Sequence, residues 1–310
     1  MIEVSNLSKT FGIRKVVNEV SFVVEQGDVL GFLGPNGAGK STTMRMITGF
    51  ILPSSGSVKV GGYDVVCDPV LVKEKIGYLP ENAPVYSDMS VFQYLSFCAE
   101  IRGYRGINRK KKVAEGIEKC FLSEVKNQTV NTLSKGYKQR VCFAQSIIHD
   151  PKYLIFDEPT DGLDPNQKHE VRLMIKEMSS RKAIIISTHI LEEISVMCSK
   201  TIILSNGSIV VNSTPDELKA MSSDHGSVLI DLDNNSSDNA VNCLQKIDGV
   251  KKIKLIAFEE NNVNIQVYPE NINNQIIERI IPELNKNGFK IKSIFIEQGK
   301  LDQVFRSLTT

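Results

Sequence analysis

Gly34-Pro-Asn-Gly-Ala-Gly-Lys-Ser-Thr42 is the stretch whose reading decides the fold. It satisfies the pattern G-x-x-x-x-G-K-[ST], with Gly34, Gly39, Lys40 and Ser41 at the defining positions. The chemistry calls for these residue types. Glycines let the backbone turn tightly around a polyphosphate and aim its N–H groups inward. Lys40 supplies a point charge to the β- and γ-phosphates, and Ser41 offers a hydroxyl to Mg²⁺. The context agrees: Asp28–Leu33 reads as a short buried strand, and Lys40 onward reads as a helix whose N-terminus faces the anion.

Downstream, the apolar run Tyr153–Phe156 ends in Asp157-Glu158. This spacing predicts a buried parallel strand that delivers two carboxylates at its C-terminal end, where open α/β sheets bind ligands. Asp157 suits the role of holding a Mg²⁺ shell, and Glu158 is placed to orient or deprotonate an attacking water. Between the two motifs lies Leu133-Ser-Lys-Gly-Tyr-Lys-Gln-Arg140, followed by Val141, Ala144, Ile147 and Ile148 at helical spacing. Ser134 reads as an N-cap. Such a helix start can bind a phosphate, and it is equally the form of an ordinary capped helix.

In this order the elements resemble the ATP-binding subunit of an ATP-binding cassette (ABC) transporter, over about the first 220 residues. The phosphate loop spans Gly34, Pro35, Asn36, Gly37, Ala38, Gly39, Lys40, Ser41 and Thr42. Leu133–Tyr137 resembles the family's signature, Tyr153–Glu158 its Walker B strand and Gly162-Leu-Asp-Pro165 its D-loop, while His189 in Ser187-Thr-His189 resembles its switch histidine. Phe11 stands where the family carries an aromatic that stacks on adenine. The resemblance implies a head-to-tail dimer that binds ATP and Mg²⁺. In it Ser134 and Gly136 of one copy meet the γ-phosphate held by the other, and Asp164 contacts the partner's phosphate loop. Glu158, His189 and Lys40 would carry the chemistry; Ser41, Asp157 and Glu81 would surround the metal. Two departures stand out. Lys135 and Tyr137 replace the usual Gly and Gln of the signature, and Glu81 replaces the usual Gln. The segment Tyr78–Tyr86 resembles the drug, lipid, polysaccharide and gliding-motility exporter branch. A soluble ABC-type ATPase acting on ribosomes or DNA is the alternative class.

Composition is consistent with this. The chain has 310 residues, is 41% hydrophobic and 24% charged, and carries a formal net charge of +1. That balance is ordinary for a globular protein and argues against general nucleic-acid binding. Six dispersed cysteines without a C-x-x-C read as reduced thiols of a cytosolic protein. No apolar run approaches the roughly 18 residues of a membrane span. Taken with this, the resemblance implies a separate multi-span permease as the partner, with this chain at the inner face of the membrane.

The expected fold is an α/β P-loop NTPase of ABC type, 1–220, with an antiparallel β subdomain and a helical subdomain at about 84–150. Residues 2–25 alternate as antiparallel strands, and 56–66 read as a hairpin. Ser90 can cap a helix, and Gly103–Gly106 breaks it. Val113, Ile117, Cys120 and Phe121 recur on one helical face, with Arg109–Lys112 as its solvated first turn. Ser222–Gly226 reads as a linker. Beyond it, 227–310 reads as a ferredoxin-like accessory domain in the order β-α-β-β-α-β, with turns at 234–237 and 259–262.

Overall fold

Val29–Leu33, Tyr153–Asp157 and Ala183–Ser187 are near-continuous apolar runs, and each forms a strand covered on both faces. Such runs suit the middle of a parallel sheet, where alternate side chains enter two different cores. The structure, a computed structural model, describes residues 1–81, 85–233, 237–259, 262–271 and 276–309. It divides into two units, Met1–Pro215 and Asp216–Leu308.

In chain order the first unit opens with β1 (Ile2–Phe11), β2 (Arg14–Val24), β3 (Val29–Leu33), α1 (Lys40–Ile47), β4 (Ser55–Val60), β5 (Tyr63–Asp64), α2 (Pro69–Lys75) and β6 (Ile76–Leu79). The helices α3 (Val91–Ile101), α4 (Gly106–Lys119) and α5 (Lys135–Ile147) follow. The unit then continues through β7 (Tyr153–Asp157), α6 (Pro165–Ser179), β8 (Ala183–Ser187), α7 (Leu191–Met197), β9 (Lys200–Ser205) and β10 (Ser208–Ser213).

The central sheet runs β10-β9-β3-β8-β7-β6, parallel from β9 through β6. On one face Leu30, Phe32, Ile155 and Ile185 join the antiparallel sheet β2-β1-β4-β5 and α1 in one core. On the other, Leu154, Phe156, Ile184 and Ile186 pack with the apolar side chains of α3, α4 and α5. The sheet is thereby held between an antiparallel layer and a helical layer.

The helical layer begins with a complete capping box: Ser90 Oγ accepts from Gln93 N at 3.2 Å, and Gln93 Oε1 accepts from Ser90 N at 2.8 Å. Two readings are corrected here. Phe121 does not lie on the apolar face of α4. The helix stops at Lys119, and Phe121 takes a left-handed φ of 53° that leaves it 50% exposed. Arg109–Lys112 is not the first turn either, because the helix already begins at Gly106.

Across the division lies α8 (Pro215–Ala220), followed by β11 (Val228–Asp233), α9 (Ser237–Gln245), β12 (Val250–Glu259), β13 (Asn262–Pro269), α10 (Ile276–Lys286), β14 (Lys290–Ile296) and α11 (Leu301–Thr309). The strand order β12-β13-β11-β14, antiparallel throughout, is the split βαβ arrangement of ferredoxin-like domains. Val228, Ile230, Ile265 and Val267 supply the sheet's side of its core, and Leu244, Ile280 and Leu284 the helices' side. Of the expected turns, 234–236 and 260–261 lie outside the described residues, as do 82–84 beyond Glu81 and 273–275 at the expected start of a helix.

Ser222–Gly226 is not a free linker. Asp224 is buried: its carboxylate accepts from Tyr268 Oη at 2.8 Å and from Gln303 Nε2 at 2.5 Å. Ser222 Oγ donates to Gln303 Oε1 at 2.8 Å. Burial works against the charged form of Asp224, but hydrogen bonds from Gln303 and Tyr268, with Lys300 nearby, outweigh it and hold the carboxyl below its ordinary range. Asp224→Ala leaves two half-buried donors unmatched, so we expect it to destabilise the second unit by about 1 kcal/mol, read by chemical denaturation of the full chain.

Candidate functional site

Strand register assembles the site. Phe32 of β3 pairs with Ser187 of β8, which pairs with Asp157 of β7. Because the three strands are parallel, the phosphate loop after β3, the carboxylates ending β7 and the segment after β8 emerge at one edge. Gly39 takes a φ of 102°, and a Cβ there would meet Val16 O at 2.8 Å, so the loop needs glycine at this point. Pro35, Asn36 and Gly37 are exposed, Gly34, Ala38 and Gly39 are buried, and Ser41 and Thr42 lie half-buried on the first turn of α1.

Lys40 is buried and donates from Nζ to Gly34 O at 2.6 Å and Pro35 O at 3.2 Å. Burial pushes its ammonium below the ordinary lysine value, opposed by the negative charges of Glu158, Asp157 and Glu81. Ser41 Oγ donates to Asp157 Oδ1 at 3.3 Å, and Ser187 Oγ donates a short hydrogen bond to the same oxygen. Two hard oxygen donors therefore converge beside the loop. This suits Mg²⁺, which prefers a few protein oxygens and keeps its remaining positions for water and phosphate. No group of three or more His, Cys, Asp or Glu that could hold a metal ion occurs among the described residues. Glu81 sits exposed in a bend after β6, near enough to act on the charge of Lys40.

Glu158 also has a left-handed backbone, φ 52°, and its N–H donates to Ser187 O and Ser187 Oγ, both at 3.2 Å. Its carboxylate meets His189 Nδ1 at 2.9 Å; the glutamate side chain is 13% exposed and the histidine 56%. Burial raises the Glu158 carboxyl above its usual range, against the downward pull of His189 and Lys40. A carboxylate so held can take a proton at neutral pH more readily than a solvated one. Phe11 ends β1 half-exposed, with Lys9 Nζ 5.1 Å from its ring centre.

The remaining site residues form a second cluster. Ser134 caps α5 by accepting from Tyr137 N at 3.4 Å, and Asp164 caps α6 by accepting from Gln167 N at 2.9 Å. A Cβ on Gly136 would meet Gln167 Oε1 at 2.3 Å, so the first turn of α5 lies against the cap of α6. Lys135 reaches Asp161 Oδ2 at 2.7 Å, and its stem fills the space beside Gly162. The structure thus brings Lys40, Ser41, Asp157, Glu158 and His189 together, and sets Ser134, Gly136 and Asp164 in a neighbouring group of their own.

Sequence reasoning passed over Ser187, Thr160, Thr188 and Glu193. Ser187 and Thr188 precede His189 directly, and their hydroxyls were the available signal. Thr160 and Glu193 carry no local pattern. A separate groove of about 870 Å³ runs between core and helical layer, lined by residues including Phe50, Val70, Tyr78, Ile101, Arg102 and His149. Burial lowers His149 to about 4, and its Nδ1 has no partner among the described residues.

Fold and edge geometry define a P-loop nucleoside triphosphatase. The ABC transporter family matches residues 17–161. The ABC transporter ATP-binding protein NatA of Bacillus subtilis (strain 168) is 33% identical over 224 residues, 70% of this chain and 91% of that protein. The linearmycin resistance ATP-binding protein LnrL of the same organism is 28% identical over 310 residues, 100% of this chain and 98% of that protein. A solved ATP-binding subunit of an ABC transporter shares 29% identity and superposes with a TM-score of 0.66, covering 71% of this chain and 92% of the other. The chain belongs to the family of ABC transporter ATP-binding subunits, and it is an ATPase of that family.

The Lys135–Asp161 pair is 68% and 46% exposed on its two side chains. Exposed pairs contribute little, so Lys135→Ala should change unfolding free energy by about 0–1 kcal/mol, as measured by urea titration.

Proposed function

We propose that this subunit powers export through a separate multi-span permease, working as an ATP-closed head-to-tail homodimer at the inner face of the membrane. One observation carries the reading. The phosphate loop, Walker B and switch residues share one edge of the sheet, while Ser134, at the start of α5, is exposed and its hydroxyl is engaged only by the cap bond from Tyr137 N among the described residues. A second copy can place that helix start over the γ-phosphate, where backbone N–H groups oppose the charge that spreads over the phosphoryl oxygens.

In this reading Lys40 leaves the carbonyls of Gly34 and Pro35 for the β- and γ-phosphates. Phe11 offers a face to adenine. Glu158 takes a proton from the water that attacks the γ-phosphorus, and the bond from that phosphorus to the β–γ bridging oxygen breaks with its electrons leaving on ADP. His189 holds Glu158 and the transferring group in line. Ser41 and Asp157, with Glu81 at the margin, would hold Mg²⁺, which when bound neutralises phosphate charge. Asp164 would lie near the partner's loop.

Export is supported by whole-length likeness to a resistance ATP-binding protein and by the Tyr78–Tyr86 segment. The mixed groove is supported as the permease contact by its exposed Phe50, Val70 and Ile101. No helix among the described residues is long and apolar enough to cross a membrane, so the spanning segments would come from the partner.

Glu158→Gln should bind ATP and lose about 10²-fold or more in turnover, because the base is removed while Asp157 stays. Sizing that variant with and without Mg·ATP tests the dimer: a shift to twice the mass is expected, and a monomer under both conditions contradicts the sandwich. Ile101→Glu places a charge in the groove. We expect it to retain basal ATPase activity within about twofold and to lose co-purification with the membrane partner, since a charge buried without a partner opposes association.

A further inference from the structure

Glu193, the third residue of α7, is fully buried, and its carboxylate is held by three segments. Thr160 Oγ1 donates a short hydrogen bond to Oε1. Thr188 Oγ1 donates to Oε2 at 2.8 Å, and Arg172 Nη2 of α6 donates to Oε1 at 3.4 Å. Thr188 Oγ1 also accepts from Ile190 N at 3.0 Å, fixing the backbone just past His189. A carboxylate is not removed from water without compensation, and here both oxygens are matched. The placement of its partners is what matters. Thr160 lies two residues after Glu158, and Thr188 directly precedes His189. The Glu158–His189 contact itself opens to solvent on the histidine side. A single ion pair left open on its histidine side does not by itself hold two loops in register.

We propose that Glu193 is a positioning residue for ATP hydrolysis. From behind the site it ties the segment carrying Glu158 to the segment carrying His189, and so sets the distance between base and histidine. The inference rests on the reading of Glu158 as the base. Misplacing a reacting group by about 1 Å costs about 10²-fold in rate, so the effect belongs in turnover and not in nucleotide affinity.

The test uses the purified full chain and compares Glu193→Gln, Thr188→Val and Thr188→Ser for ATP affinity and for steady-state hydrolysis. Valine keeps the shape of threonine without its hydroxyl, and serine keeps the hydroxyl. Glu193→Gln and Thr188→Val should lower kcat by about 10- to 100-fold with ATP affinity held within about threefold, and Thr188→Ser should return kcat to within about threefold of the parent. If Glu193→Gln fails to fold, the two threonine variants carry the test. Near-parental kcat in folded Thr188→Val overturns the proposal, as does a fall in kcat matched by an equal loss of ATP affinity. Glu158→Gln is the control. An inactive Glu158→Gln beside near-parental Glu193→Gln and Thr188→Val overturns this inference alone, whereas an active Glu158→Gln overturns the base assignment and the inference with it.

Discussion

The parallel pairing of β3 with β8, and of β8 with β7, is the constraint on which the rest depends. Parallel strands present their C-terminal ends at one edge, and the pairing of Phe32 with Ser187 and of Ser187 with Asp157 decides which residues arrive there together. A slip of one position would turn Asp157 from the edge into a core built by Leu154, Phe156 and Ile186. The buried apolar runs therefore do more than stabilise the unit: their alternation between two cores locks the register that aligns Lys40, Asp157 and Glu158.

Around that edge the polar groups form two tiers. In front, at the sheet edge, are Lys40, Ser41, Asp157, Glu158 and His189, the groups assigned to the substrate in the proposed reading. Behind them lie hydroxyls that the chemistry does not consume. Ser187 donates to Asp157 and receives the N–H of Glu158, so one side chain orders both carboxylate residues. Burial shifts Lys40 and Glu158 in opposite directions from their ordinary values, lowering the first and raising the second. Desolvation disfavours whichever form is charged, which explains the opposite signs from a single cause.

The departures from the family pattern have different weights. Lys135 has a visible place: its ammonium pairs with Asp161 and its stem covers Gly162, linking the signature turn to the loop before α6 within one chain. Tyr137 packs against Arg140, whose guanidinium carbon stands 5.6 Å from its ring centre while also pairing with Glu170. Glu81 is exposed and acts on Lys40 only through charge.

Much of this was legible in local sequence. The phosphate loop, the Asp157-Glu158 strand end, the capped start of α5 and the β-α-β-β-α-β order beyond residue 227 are patterns of neighbours along the chain, and backbone geometry alone ties such patterns to strand, turn or helix. Phe121 and Ser222–Gly226 misled for a related reason. Helical spacing does not reveal where a helix stops, and a run of small polar residues looks like a linker whether or not Tyr268 and Gln303 lie over it. Glu193 shows the limit most clearly. Its threonine partners are 33 and 5 residues away, and Arg172 is 21 away. No spacing rule joins those positions. They meet only because β7 and β8 lie side by side and α6 and α7 pack close together, so the residues that line the site were set by sequence, and the distances among them by the tertiary structure that excludes water behind it.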